Sequence, residues 1–283
     1  MPADQPQAEM SFLDHLEAFR WHIVRALSAV VIFSIIAFAS KEFVFGTLIL
    51  GPSRPDFWFY QMACNLGQTL ANSTAFCIDE LPFIIQSRKM TGQFSMHITS
   101  SIVLGIIVAF PYFFWEMWRF VSPALYDNEK KTSRGATFFV SVLFMSGVLF
   151  GYYIVSPISI NFLANYQVDA SVLNEFDITS YVSTLTMLVL ACGLMFQLPM
   201  VILFMSKAGI INPQILRQYR KIAIVVILVI SAFITPPDPI SQLLISFPLL
   251  ILYEISIYIS SIIHKRKDKK EAELKKLEES KNN

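Results

Sequence analysis

Across 283 residues the chain is 54% hydrophobic and only 15% charged, with a formal net charge of +1, and its 25 phenylalanines outnumber all 22 lysines and arginines. Soluble domains carry nearer ~25% charged residues, and a soluble globule of this length lacks the interior for so much apolar side chain. The balance excludes disordered, disulfide-scaffold and nucleic-acid-binding classes and predicts an all-α integral membrane protein.

Crossing a bilayer takes roughly 20 mostly apolar residues in a helix. Six runs are candidates, at about residues 23–43, 98–121, 135–155, 181–205, 222–235 and 240–262. They are continuous rather than alternating, which excludes a β-barrel. The expected organisation is a segment 1–22, one six-helix domain over 23–262 and a charged tail 263–283. The lead into the first run is too long for a signal n-region and carries Asp4, Glu9, Asp14 and Glu17, so the run is expected to remain as a span despite Ala37-Phe38-Ala39.

The loop 46–97 holds Cys64 and Cys77, for which two free thiols and a disulfide both stand open. Pro111, Pro199 and Pro248 predict kinks in the second, fourth and sixth runs. Residues 156–180 read as a loop, and Cys192 in the fourth run as a small packing residue. The fifth run is short, and Pro236-Pro237-Asp238-Pro239 ties it to the sixth as a tight antiparallel hairpin. Such a hairpin sits shallowly or thins the membrane around it. In the tail, the Glu271 and Lys275 pair favours a solvated, partly helical extension.

Eighteen lysines and arginines fall before the first run or within its opening turn, around the second-to-third and fourth-to-fifth connections, and in the tail. Four fall on the other side: Lys41, Arg54, Arg88 and Lys89. That asymmetry predicts both termini in the cytoplasm. No chemistry of an enzyme is visible. His15, His22, His97 and His264 share no metal-ligand spacing, and zinc-protease, nucleophile-elbow, phosphate-loop and CxxC patterns are missing, so no cofactor or metal is expected. A small-solute or ion transporter is the competing class, but it calls for a charged or broken-helix site at the midplane and for internal repeats. Neither is apparent in the sequence.

Four stretches stand out in order along the chain. They are Asp14-His15-Leu16-Glu17-Ala18-Phe19-Arg20; Trp115 to Tyr126 (with Trp118-Arg119-Phe120-Val121-Ser122-Pro123-Ala124-Leu125-Tyr126), followed by Glu129-Lys130-Lys131; Phe196-Gln197-Leu198-Pro199; and Thr235-Pro236-Pro237-Asp238-Pro239-Ile240-Ser241-Gln242. Together, from about residue 11 to 262, they resemble the TatC family, the polytopic receptor of the twin-arginine protein translocase. The resemblance implies a six-span receptor core in the bacterial cytoplasmic membrane. It would bind twin-arginine signal peptides of folded precursors, recruit single-span TatA/TatB-type partners, self-associate, and draw on the proton-motive force.

Each motif also has a reading of its own. Glu129 can balance Lys130, Lys131 and Arg134; the resemblance implies that it holds the paired arginines, a task suited to a carboxylate. Pro123, Leu125 and Tyr126 would shape its loop. Trp118 and Phe120 suit interfacial anchoring, with Phe120 also implied near the signal peptide. Glu116 reads as a local helix pair with Arg119. Asp14, Glu17 and Arg20 belong to the amino-terminal motif, where the family commonly has a further acid at the position of Ala18; Asp14 or Glu17 is expected to compensate. Gln197 replaces an acid common in the family's fourth span, so charge at that depth is not carried over. Thr235 and Gln242 can satisfy backbone groups freed by the prolines, and the resemblance implies that this edge accepts a partner helix.

Overall fold

A computed structural model describes residues 12–71, 77–78, 80–121, 130–169, 171–172, 174–207, 209–235 and 239–282. The chain divides into two compact units, one of residues 1–44 and 97–142, the other of 45–96 and 143–283.

The first unit is organised by α1 (Phe12–Ala39) and α4 (Gly92–Val121), with the short α2 (Lys41–Phe43) after α1. Its contacts run in opposite chain directions: His22 meets Glu116, Ser34 meets Gly105, and Phe38 stacks on His97 with centroids 4.0 Å apart. The two helices are therefore antiparallel. Close approach is set by small residues, as expected where no hydrophobic effect drives helices together in lipid. A Cβ at Gly105 would lie 2.1 Å from Ser34 Oγ and 2.7 Å from Ser34 N, while Ala26 and Ala109 are fully buried. Val24, Leu27, Val31 and Ile35 on α1 are exposed, as suits a lipid-facing surface.

The second unit holds α3 (Trp58–Ala71), α6 (Ser156–Asn165), α7 (Ile178–Met195), α8 (Leu198–Lys207), α9 (Pro213–Gln218), α10 (Arg220–Ile234) and α11 (Pro239–Asn282). It also contains the end of α5 (Lys130–Phe150), which a π-helical turn, Gly151–Val155, joins to α6. Residues 156–165 are therefore helical, where a loop was expected. Pro157 causes no interruption because it sits in the first turn of α6, where a missing N–H costs nothing. Glycines bring α5 against α7: a Cβ at Gly147 would lie 2.5 Å from Cys192 O, and one at Gly193 would lie 2.8 Å from Val148 and 2.9 Å from Phe144. Cys192 is buried in this contact, as a packing residue should be. Hydroxyl pairs stitch α11 to its neighbours, Ser159 to Ser241 at 2.6 Å and Ser206 to Ser260 at 2.8 Å.

Five described segments are long and apolar enough to cross a membrane: Leu16–Ala39, Gly92–Phe120, Thr137–Asn165, Ile178–Lys207 and Pro239–Lys265. The short fifth run is α10, of 15 residues. Helices α4 and α11 continue without interruption through Pro111 and Pro248, whereas the fourth run breaks at Phe196-Gln197, between α7 and α8. Pro199 then occupies the first turn of α8, the place where a proline is tolerated. Helix α11 runs on through the described tail.

The fold is not purely helical. β1 (Ile84–Gln86) pairs in parallel with β2 (Glu175–Asp177), joining the ends of two connecting segments. Three-residue strands leave no readable alternation in sequence. In the same region Cys64 and Cys77 form a disulfide. Arg88 Nη2 bonds Glu175 Oε2 at 3.1 Å, and Tyr60 OH donates to Pro52 O at 3.1 Å and Pro157 O at 3.0 Å. Burial pushes the Tyr60 phenol well above its ordinary value.

Candidate functional site

The chemistry of the first unit gathers where α1 begins and α4 ends. Glu116 is 1% exposed and lies inside an apolar span. A carboxylate at such a depth needs partners, and three are present. His22 Nδ1 lies 2.5 Å from Glu116 Oε2, Arg25 Nη1 lies 4.0 Å from the same oxygen, and Tyr112 OH donates to Oε1 at 3.2 Å. The expected pairing of Glu116 with Arg119 is therefore replaced by an interhelical cluster. Arg119 instead sits over the ring of Trp115, 5.6 Å from its centroid. The geometry explains the exchange: Glu116 faces the α1–α4 seam, and α1 presents two basic residues, one turn apart, at that level. A clue was legible, since an acid in the second run and His22 with Arg25 at the start of the first run are complementary. Nothing in one sequence pairs them.

Phe19 and Phe120 close the same end of the seam, with centroids 4.8 Å apart. Phe120 thus anchors α4 to α1 in addition to any contact with the interface. Glu17 and Arg20 form an exposed intrahelical pair at 3.8 Å, and Arg20 also lies 5.6 Å from the Trp21 ring centroid. Asp14 belongs to α1, but its side chain lies outside the described residues, as do Pro123, Leu125, Tyr126 and Glu129 of the following loop.

The second unit carries the other expected residues. Thr235 Oγ1 donates to Ser231 O at 3.0 Å, closing α10, and Gln242 Nε2 donates to Leu228 O at 3.2 Å, tying α11 to α10. Both side chains thus perform the backbone-satisfying task read from the sequence. Ser231 is buried with its own hydroxyl unpaired among the described residues. Around them Phe233, Ile240, Leu243 and Phe247 are exposed, an apolar edge suited to lipid or to a helix. At the opposite end of this helix pair, Arg220 Nε and Nη2 grip Glu254 at 2.8 and 2.9 Å. Gln197 lies in the break between α7 and α8. Its N–H donates to Leu194 O at 3.0 Å, and its carbonyl accepts from Met200 N at 2.9 Å and Val201 N at 3.1 Å. The break supplies the helix interruption that a transporter would need, but its backbone is satisfied locally and its side chain is a neutral amide. Among the described residues no three His, Cys, Asp or Glu side chains group as metal ligands.

Where α7 begins, Asp177 caps the helix. Its carboxylate accepts from the Thr179 hydroxyl, from Thr179 N at 2.8 Å and from Arg88 N at 3.1 Å. The Thr179 bonds, with the Arg88 N–H next, hold its carboxyl below the ordinary carboxylate range.

A family model described as TatC, Sec-independent protein translocase protein, matches residues 14–248. The Sec-independent protein translocase protein TatC of Blattabacterium sp. subsp. Periplaneta americana (strain BPLAN) is 36% identical over 260 residues, covering 92% of this chain and 98% of the relative. The protein TatCy of Bacillus subtilis (strain 168) is 31% identical over 264 residues, covering 93% of this chain and 94% of the relative. A crystal structure of a twin arginine translocase receptor, TatC, superposes with a TM-score of 0.65 at 29% identity, covering 88% of this chain and 99% of that one. A second, in DDM, gives 0.67 at 31% identity, covering 87% and 99%.

Proposed function

This chain belongs to the TatC family of Sec-independent protein translocase proteins, and from that premise we propose that it is the receptor core that binds twin-arginine signal peptides. The observation that carries the proposal is the end of the first unit, where a buried carboxylate, Glu116, already stands beside a guanidinium, that of Arg25. Charge-assisted bonds from guanidinium to carboxylate are among the strongest that a polar site can offer. The adjoining loop carries Glu129, and in this reading Glu129 is the main anionic contact for the paired arginines, with Pro123, Leu125 and Tyr126 shaping the loop around it. Both termini lie in the cytoplasm, in agreement with the basic residues, and α10 is the shallow fifth span that brings the number to six. The apolar edge of the α10–α11 hairpin receives a single-span partner helix of the TatA/TatB type. The complex carries folded proteins across the bacterial cytoplasmic membrane at the expense of the proton-motive force.

Photocrosslinking from introduced probes in residues 122–134 to a twin-arginine signal peptide tests the reading. Crosslinks to the twin-arginine peptide that vanish with a Lys-Lys peptide are expected, together with their loss in Glu129→Gln. Losing one partner of a charge-assisted pair costs about 1.5–3 kcal/mol, roughly ten- to a hundredfold in affinity. Asp127→Asn should be much milder. Equal crosslinking of both peptides would sink the proposal, and loss in Asp127→Asn with retention in Glu129→Gln would move the contact to the other acid.

A further inference from the structure

We propose that Glu116 is a second guanidinium-binding carboxylate of the signal-peptide site, and that Arg25 occupies it until a peptide arginine takes its place. The inference rests on the function proposed above and names a residue that function does not require.

Two guanidinium groups call for more than one anionic partner. At the described end of the first unit only two acids are placed, Glu17 and Glu116. Glu17 has a side chain 66% exposed and already pairs with Arg20 on its own helix. Water screens such a pair, and it offers little to an incoming cation. Glu116 is the opposite case. It lies about 7.5 Å, five helical residues, inside the end of α4 at Val121, and its surroundings exclude water. There the attraction for a cation is strong, but the carboxylate cannot be left without one.

The geometry meets both conditions. His22 and Tyr112 hold the carboxylate from within the seam by two hydrogen bonds. Arg25 comes from the accessible side: its side chain is half exposed, and its closest approach, 4.0 Å, is at the outer limit of an ion pair. A cation held so loosely can be exchanged, and exchange for a peptide guanidinium leaves the charge around Glu116 unchanged at every stage. Arg119 is no rival, since it is drawn over Trp115. Ala18, His22 and Arg25 follow one another at spacings of four and three and share one face of α1. Ala18 therefore sits one turn outward from the cluster, a small side chain on the path from the end of the helix toward Glu116.

A purely structural clamp between α1 and α4 would use the same atoms, so the test must separate exchange from clamping. Full-length protein in detergent is titrated with a labelled twin-arginine signal peptide and its Lys-Lys counterpart, and the thermal midpoint of every variant is recorded. Glu116→Gln should weaken twin-arginine binding at least tenfold. Arg25→Gln should strengthen it severalfold, because the resident cation is gone. Ala18→Glu added to Glu116→Gln should restore binding, since it returns a carboxylate to the same face of α1. Weakening by both Glu116→Gln and Arg25→Gln, with matched losses of thermal midpoint and no rescue from Ala18→Glu, overturns the proposal in favour of a clamp. Wild-type binding in Glu116→Gln alongside a defect in Glu129→Gln also overturns it and leaves the proposed function standing. If wild type does not distinguish the two peptides, the proposed function fails and this inference falls with it.

Discussion

A glycine in an apolar helix is informative when a neighbour occupies the space its side chain would fill. Gly105 is such a position, because Ser34 of α1 lies where a Cβ would project and the clash includes backbone atoms at 2.7 and 2.9 Å. Gly105→Ala must therefore push α1 from α4, and overpacking of this kind costs about 1–3 kcal/mol. A clear fall in thermal midpoint in detergent is expected, together with weaker signal-peptide binding, because Glu116 and its α1 partners would separate. Gly46→Ala and Gly135→Ala are the controls; neither added methyl would meet anything within 4 Å. Equal midpoints for all three variants would show that α1 is not held by this contact. The residue scale is also where sequence reading reached its limit. Glu116 was visible as a charge in an apolar run, but its neighbour at i+3 was the nearest partner that one chain could suggest. Apart from Tyr112 one turn back, its partners His22 and Arg25 lie on a helix about ninety residues away, and pairing across spans leaves no local pattern. Gln242 and Thr235 were legible because their task, satisfying backbone beside prolines, is itself local.

Elements show the same division between local and distant causes. The apolar runs and the shortness of α10 follow from composition and length, and both were readable, while the link at Pro236-Pro237-Asp238 lies outside the described residues. The third run continues to Asn165, past its expected end at 155, because Pro157 opens a helical turn instead of ending one. The β1–β2 pair joins segments about ninety residues apart, so no short-range signal announces it. That region yields two measurable expectations. Asp177 caps α7, and its folded value is depressed. A carboxyl shifted in this direction contributes stability above its ordinary unfolded value, near 3.9, and loses it as pH falls through the folded value. Asp177→Asn should lower the thermal midpoint at neutral pH, and the gap from wild type should narrow as pH falls below that ordinary value toward the depressed folded one; parallel melting curves at all pH values would reject the cap. The Cys64–Cys77 bridge closes a 13-residue separation, and a link of that size is worth about 3 kcal/mol in the chain-entropy view. Alkylation without reductant should leave both sulfurs unmodified in the mass spectrum and shift the protein by at most one adduct, on Cys192. Adducts on Cys64 and Cys77 would show that the bridge does not form in the cell.

At the scale of the whole molecule the open quantity is orientation, which neither hydrogen bonds nor packing can supply. Charge distribution supplies it. Basic residues are retained on the cytoplasmic side during insertion, and short loops obey the bias best. Here the bias is eighteen against four, hidden in a net charge of +1. The fold leaves suitable reporters on both sides. Val172, in the segment between α6 and β2, is exposed, and Glu279, near the end of α11, is exposed as well. The proposed topology puts Val172 outside and Glu279 in the cytoplasm. Native thiols do not interfere, because Cys64 and Cys77 are bridged and Cys192 is buried. An impermeant maleimide added to intact cells should therefore label Val172→Cys at once and Glu279→Cys only after lysis. The reverse pattern would invert the molecule and put the α1–α4 end outside, away from any cytoplasmic precursor. Labelling of both sites in intact cells would place the termini on opposite sides and leave an odd number of spans; since α10 is the one apolar helix too short for an ordinary crossing, it would then be the helix that fails to span.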